Sequence, residues 1–140
     1  MKIVICTAVG AIGGFIASLF GGWTASLTTL LIFMGIDYIS GLVVAGVFHA
    51  STKTETGALE SRAGFKGLIK KLMTLLFVLI GYRLDLAVGT TYIKDAVCIA
   101  FMANELISIV ENAGLMGLPV PAVLTNAIDI LKKKGGKDHD

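Results

Sequence analysis

"NELISIVENAG", residues 104–114, gathers two carboxylates, two amides and a hydroxyl near the end of a long apolar run. A soluble core avoids that density of polar groups, and so does a helix facing lipid. Set on a helix at 100° per residue, Asn104, Glu105, Ser108, Glu111 and Asn112 fall within an arc of about 120°. Ala96 and Ala100 continue the row as a narrow strip of small side chains. The helix is thus apolar on most of its surface, with one polar and small face. That face is costly against lipid and can be satisfied against another helix or water.

Composition agrees with a membrane reading. Of 140 residues, 55% are hydrophobic and 16% charged, against about 25% charged in soluble domains. The mean hydropathy is +0.83. A net charge of +2 gives no argument for a nucleic-acid partner, and the basic residues lack an aromatic stacking set. Cys6 and Cys98 lie in apolar runs with no CxxC or Cys/His cluster. They read as small apolar fillers, with neither metal nor disulfide expected. His49 and His139, at a helix end and in the tail, read as solvated. No HExxH, GxSxG, P-loop or dinucleotide fingerprint occurs, so no catalytic residues and no cofactor are expected.

Four apolar runs are candidate spans. Ile3–Phe20 is about 27 Å long as a helix, close to the hydrocarbon thickness. A cleavable signal peptide competes, since Lys2 precedes the run; its length, and the second run that follows, favour a span. Gly10, Gly14 and Ser18 form a small-xxx-small strip on it. After the break at Phe20–Trp23, a run from about Thr24 to Phe48 contains one charge, Asp37. An Asp near a helix centre costs about 2.5–3.5 kcal/mol, which roughly a dozen Leu, Ile, Val and Phe outweigh at about 0.3–0.6 kcal/mol each. Asp37, Ser40, Gly41 and Ala45 share a face, and Gly35 and Gly41 read as packing positions. Asp37 also has a plainer reading, paired with a lysine or bonded to Ser40 inside one monomer.

The third candidate, about Leu68–Leu86, needs Lys71 and Arg83 to snorkel. The fourth runs from Ile93 to Val110. Basic residues collect in the loop of about residues 50–71 and in the tail with Lys132, Lys133, Lys134 and Lys137. The positive-inside rule puts both in the cytoplasm. The expected fold is an all-α integral membrane protein of about four transmembrane helices, three being possible, with both termini cytoplasmic. Residues 1–118 form the membrane domain and residues 119–140 a cytoplasmic amphipathic helix with a basic tail. Pro119 and Pro121 stop the fourth helix, and Leu124, Ile128 and Leu131 line one face of the next. With Lys66, Lys70, Lys71 and the tail lysines 132–134 it would meet an anionic membrane surface. The last residues, 135–140, read as disordered.

Four motifs then occur in a recognisable order: "DYISG" (residues 37–41), "SRAGFKGLIKK" (61–71), "NELISIVEN" (104–112) and "GLPVPAVL" (117–124). Together they resemble the phage lysis and toxin-secretion holin family of Gram-positive phages and clostridia, over roughly residues 30–132. The resemblance implies a homo-oligomer that assembles in the bacterial cytoplasmic membrane. Its non-selective openings would release a lysin or toxin, with no direct contact to that passenger required. It carries over no catalytic residue. Many such genes encode a second form from a nearby start, whereas the next methionine here is Met34. The polar residues 104, 105, 108, 111 and 112, with Asp37 and Ser40, are the candidates for an opening or its precursor interface. A small selective ion channel or transporter, or a membrane adaptor using the basic loop and tail, are the alternatives.

Overall fold

The structure is a computed structural model and describes residues 1–137. It contains α1 (Lys2–Leu19), α2 (Ala25–Gly46), α3 (Ser61–Val88), α4 (Ile93–Leu115) and α5 (Ala122–Lys137). Local chemistry sets each boundary. Gly21 and Gly22 take positive φ in the α1–α2 turn, and the Tyr82 ring occupies the space a Cβ on Gly21 would need. Thr24 caps α2, its hydroxyl accepting from Leu27 N at 3.3 Å. Gly89, left-handed, ends α3.

α4 is the central element, packed against α2, α3 and α5. α2 and α4 run parallel: Leu27 and Leu30 meet Cys98 and Met102 near their starts, while Gly41 meets Asn112 near their ends. α3 runs against both. Leu27, Leu30, Met34, Val78, Cys98 and Met102 form the apolar cluster between these three helices. α1 stands apart, with Ala17 its only buried residue.

The distribution of polarity is inverted relative to a soluble protein. Phe15, Phe65, Leu72, Phe77, Ile80 and Leu86 are exposed, while Asp37, Asp85, Lys94 and Asn112 are buried. α1 and α2 are long and apolar enough to cross a membrane. α3 and α4, at about 42 and 34 Å, have the length but carry charged residues. Among the described residues the fold is all-helical.

Two expectations change. The third helix begins earlier than the span of about Leu68–Leu86 expected from hydropathy: α3 is continuous from Ser61 to Val88. Nothing in that stretch breaks a helix, and Gly64 and Gly67 lie beside the Tyr38 side chain of α2. The C-terminal helix is longer than expected and lies back along α4, with Ile128 buried and Leu131 on the apolar cluster. Leu124, expected on the same face, is 43% exposed. Residues 135–137, expected to be disordered, are helical. His139 and the remainder of that tail lie outside the described residues.

Candidate functional site: a charged cluster between three helices

About halfway along α2 and α4, three helices each deliver one ionisable group to a common point. Lys71 Nζ of α3 donates to Asp37 Oδ2 of α2 at 2.8 Å and to Glu105 Oε2 of α4 at 2.7 Å. The three side chains are 17%, 7% and 12% exposed. One turn further on, Asn112 Nδ2 donates to Ser40 Oγ at 2.8 Å and to Asp37 Oδ1 at 3.2 Å. Its contact with the Asp37 carbonyl, at 3.3 Å, completes the link. Ser40 Oγ itself donates to that carbonyl at 3.0 Å. Two carboxyl groups share one ammonium, so the cluster holds one more acid than base.

The cluster forms the wall of a 330 Å³ cavity reaching the loop of residues 47–60. Gly41, Tyr38, Lys70 and Ser108 also line it. In that loop Thr54 Oγ1 is buried without a hydrogen-bond partner. The space is polar along the wall formed by Asp37, Lys71, Glu105 and Asn112, and it is large enough for several waters.

A second set of charges lies at the other end of the bundle and bonds to backbone. Asp85, in the last turn of α3, accepts from Ile93 N and Lys94 N, both at 2.9 Å, and from Thr90 Oγ1 at 2.6 Å. It therefore caps α4, where its charge also complements the helix dipole. Lys94 Nζ donates to the carbonyl of Phe20, with that of Gly22 at 3.5 Å, and lies 5.6 Å from the Tyr82 ring centre. It fastens the α1–α2 turn to α4.

The residues singled out from sequence divide accordingly. Glu105, Ser108 and Asn112 turn inward with Asp37 and Ser40, while Asn104 and Glu111 are exposed. Ala45 and Ala96 are buried, and Gly41 lies beside Asn112. Gly10, Gly14 and Gly35 face open space, and the Ser18 hydroxyl bonds to Phe15 O of its own helix. Lys66, Lys70, Lys132, Lys133 and Lys134 are exposed, but Lys71 is not a surface anchor. Its ammonium is taken by two carboxyl groups on neighbouring helices.

Sequence reasoning missed Lys71, Asp85 and Lys94 as structural charges. The signal for the first two was a row on α3: Lys71, Thr74, Val78, Gly81 and Asp85 recur at three- and four-residue steps among large apolar side chains. That row is the buried face, and Gly81 on it admits the α4 backbone at Lys94. Cys98 lies within the apolar cluster and Cys6 is exposed. Among the described residues, no His, Cys, Asp or Glu group is arranged to hold a metal ion.

The chain is similar to several proteins of known sequence. An uncharacterised protein of Listeria monocytogenes is 38% identical over 100% of this chain and 95% of the relative. An uncharacterised 14.9 kDa protein of Clostridium perfringens is 31% identical over 89% of each. A probable holin of Bacillus phage phi105 is 28% identical over 76% of this chain and 73% of the relative. No solved structure matches. The profile of the bacteriophage holin family, whose members are non-enzymatic membrane proteins, matches residues 14–133. That stretch runs from within α1 into α5 and contains the whole charged cluster, and the chain belongs to the bacteriophage holin family.

Proposed function

We propose that this protein is a holin: it accumulates in the bacterial cytoplasmic membrane, oligomerises, and opens non-selective passages for a lysin or toxin. In this reading α1 to α4 all cross the membrane, with both termini and the residue 47–60 loop in the cytoplasm. Charged residues inside α3 and α4 are tolerated because they face one another and not lipid.

The observation that carries the reading is Lys71 held between Asp37 and Glu105. The cluster ties α2, α3 and α4 together only while all three are in register. If the helices part, each charge needs another partner, which a neighbouring copy or water in an opening would supply. Polar pairs in membrane proteins average about 0.6 kcal/mol, roughly a threefold change in an equilibrium, so such partners exchange readily. The membrane potential contributes about 2.3 kcal/mol per charge moved across 100 mV, and a mid-membrane charge feels part of it. Depolarisation thereby favours rearrangement of the cluster.

The test is inducible expression in bacteria, following turbidity, membrane potential and entry of an impermeant dye. A silent lag and then abrupt collapse, advanced by an uncoupler, supports the holin. Gradual ion-selective depolarisation without dye entry would instead make the polar cavity a selective path. Unchanged permeability at a verified membrane level would leave an adaptor. Glu105→Leu should shift the onset by about threefold or more. Normal onset and normal permeabilisation in that variant would remove Glu105 from the mechanism.

A further inference from the structure

α5 runs back along α4 until Gly135 rests on Ala100, where a Cβ on Gly135 would stand 3.3 Å from Ala100 Cα and 3.4 Å from its Cβ. From Leu115 to Ala100 is about 22 Å along α4. In a hydrocarbon layer about 30 Å thick, with Leu115 at one face, that point is beyond the middle. Lys132, Lys133 and Lys134, all exposed on α5, would be carried to the same depth. There the headgroups are out of a lysine's reach. An α5 docked along an α4 that is surrounded by lipid on this side is therefore held there at a cost, which its release to the membrane surface relieves.

α5 has another surface to meet. Its apolar residues spread over a wide sector, from Val123 and Ile130 through Leu131 and Leu124 to Ile128. α4 covers only part of it, and Val123 and Ile130 remain 76% and 58% exposed. Asn126 and Asp129 lie opposite the sector, and Lys132, Lys133 and Lys134 follow it, spaced around the helix. A wide apolar sector with lysines around it suits an anionic bilayer surface.

We propose that α5 is a detachable cover on α4. It is docked as seen here until an anionic membrane surface draws it away, and its departure frees the face of α4 around Ala100 for the bilayer. The inference rests on the reading of α4 as a membrane span.

The test uses Ala100→Cys with Gly135→Cys in a full-length chain whose Cys6 and Cys98 are replaced by alanine. The 3.4 Å separation of the two β-carbons is within a few tenths of disulfide geometry. Cross-linking is compared in vesicles of phosphatidylcholine alone and with about one third phosphatidylglycerol. The yield should fall by about fivefold or more in the anionic vesicles, and adding Lys132→Gln, Lys133→Gln and Lys134→Gln should restore it. Equal yields in the two vesicles, or a loss unaffected by removing the lysines, would overturn the proposal. Since the Gly135 site is tight, spin labels at exposed Asn104→Cys and Lys133→Cys provide a second measurement. Their separation should lengthen only with anionic lipid, and an unchanged separation overturns the cover. A lipid response in a chain that releases no trapped dye, cross-linked or reduced, would support the cover while refuting the proposed opening.

Discussion

The bundle holds charge at two levels and satisfies it in opposite ways. At the Asp37–Lys71–Glu105 level, side chains of three helices bond to one another. At the Asp85–Lys94 level, side chains bond to the backbone where helices begin and end. A cap has one workable geometry, because the amides it serves are fixed by the helix itself. An ion cluster is different, since any carboxylate or water can replace a partner. Burial of charge alone is thus no mark of function in a membrane protein. What the charge is bonded to decides whether it serves as a fastening or as something that can be exchanged.

The sharpest way to break this contrast is Lys71→Met, which leaves two carboxylates facing each other without their cation. Removing one member of a buried ion cluster costs about 3–5 kcal/mol. The variant should therefore lose most of its folded yield, or melt far lower in detergent. Adding Asp37→Asn and Glu105→Gln removes the unbalanced charge and should recover most of that loss. A triple variant as unstable as the single one would show that Lys71 acts by packing its stem and not by balancing charge.

The difference between the two levels was only half legible beforehand. Periodicity exposed the polar face of α4 because Glu105, Ser108 and Asn112 lie on one helix and their spacing alone aligns them. The apolar lengths of α1 and α2 were equally plain. Lys71 was not, because it stands next to Lys70 and only antiparallel packing against α2 and α4 decides which of the two turns inward. Asp85 was hidden for a related reason. It caps a helix that begins eight residues later, which depends on the Gly89 turn folding α4 back beside α3. Lys71 was assigned to the membrane surface by its charge, which has no information about partners. The docking of α5 escaped for the same cause: an amphipathic sector predicts burial of an apolar face, and not what buries it.

On the fastening side, Asp85→Ala should cost about 1–2 kcal/mol, as lost helix caps do. The cleaner measurement is local. Amide exchange at Ile93 and Lys94, whose N–H groups donate to Asp85, should accelerate by about tenfold. Asp85→Asn, which retains an acceptor, should fall between. If the two levels differ as argued, the onset of permeabilisation in these variants follows protein level and does not shift by itself. A shift at matched level would make the cap part of the exchangeable machinery and remove the distinction.

The smallest expected effect tests how far exchangeability extends inside the cluster. Ser40→Ala removes the shortest of Asn112's three contacts but leaves Asp37 Oδ1 at 3.2 Å and the Asp37 carbonyl at 3.3 Å. A hydrogen bond is worth about 0.5–1.5 kcal/mol net, and a donor with acceptors to spare should lose the low end of that. Asn112→Leu, by contrast, strips Asp37 Oδ1 of the amide that donates to it at 3.2 Å. The loss should exceed that of Ser40→Ala in a thermal unfolding comparison, since an unpaired carboxylate oxygen retains its desolvation cost. Equal losses would mean that Ser40, and not Asp37, is what Asn112 serves. The amide would then be a helix–helix staple and no part of the exchangeable charge.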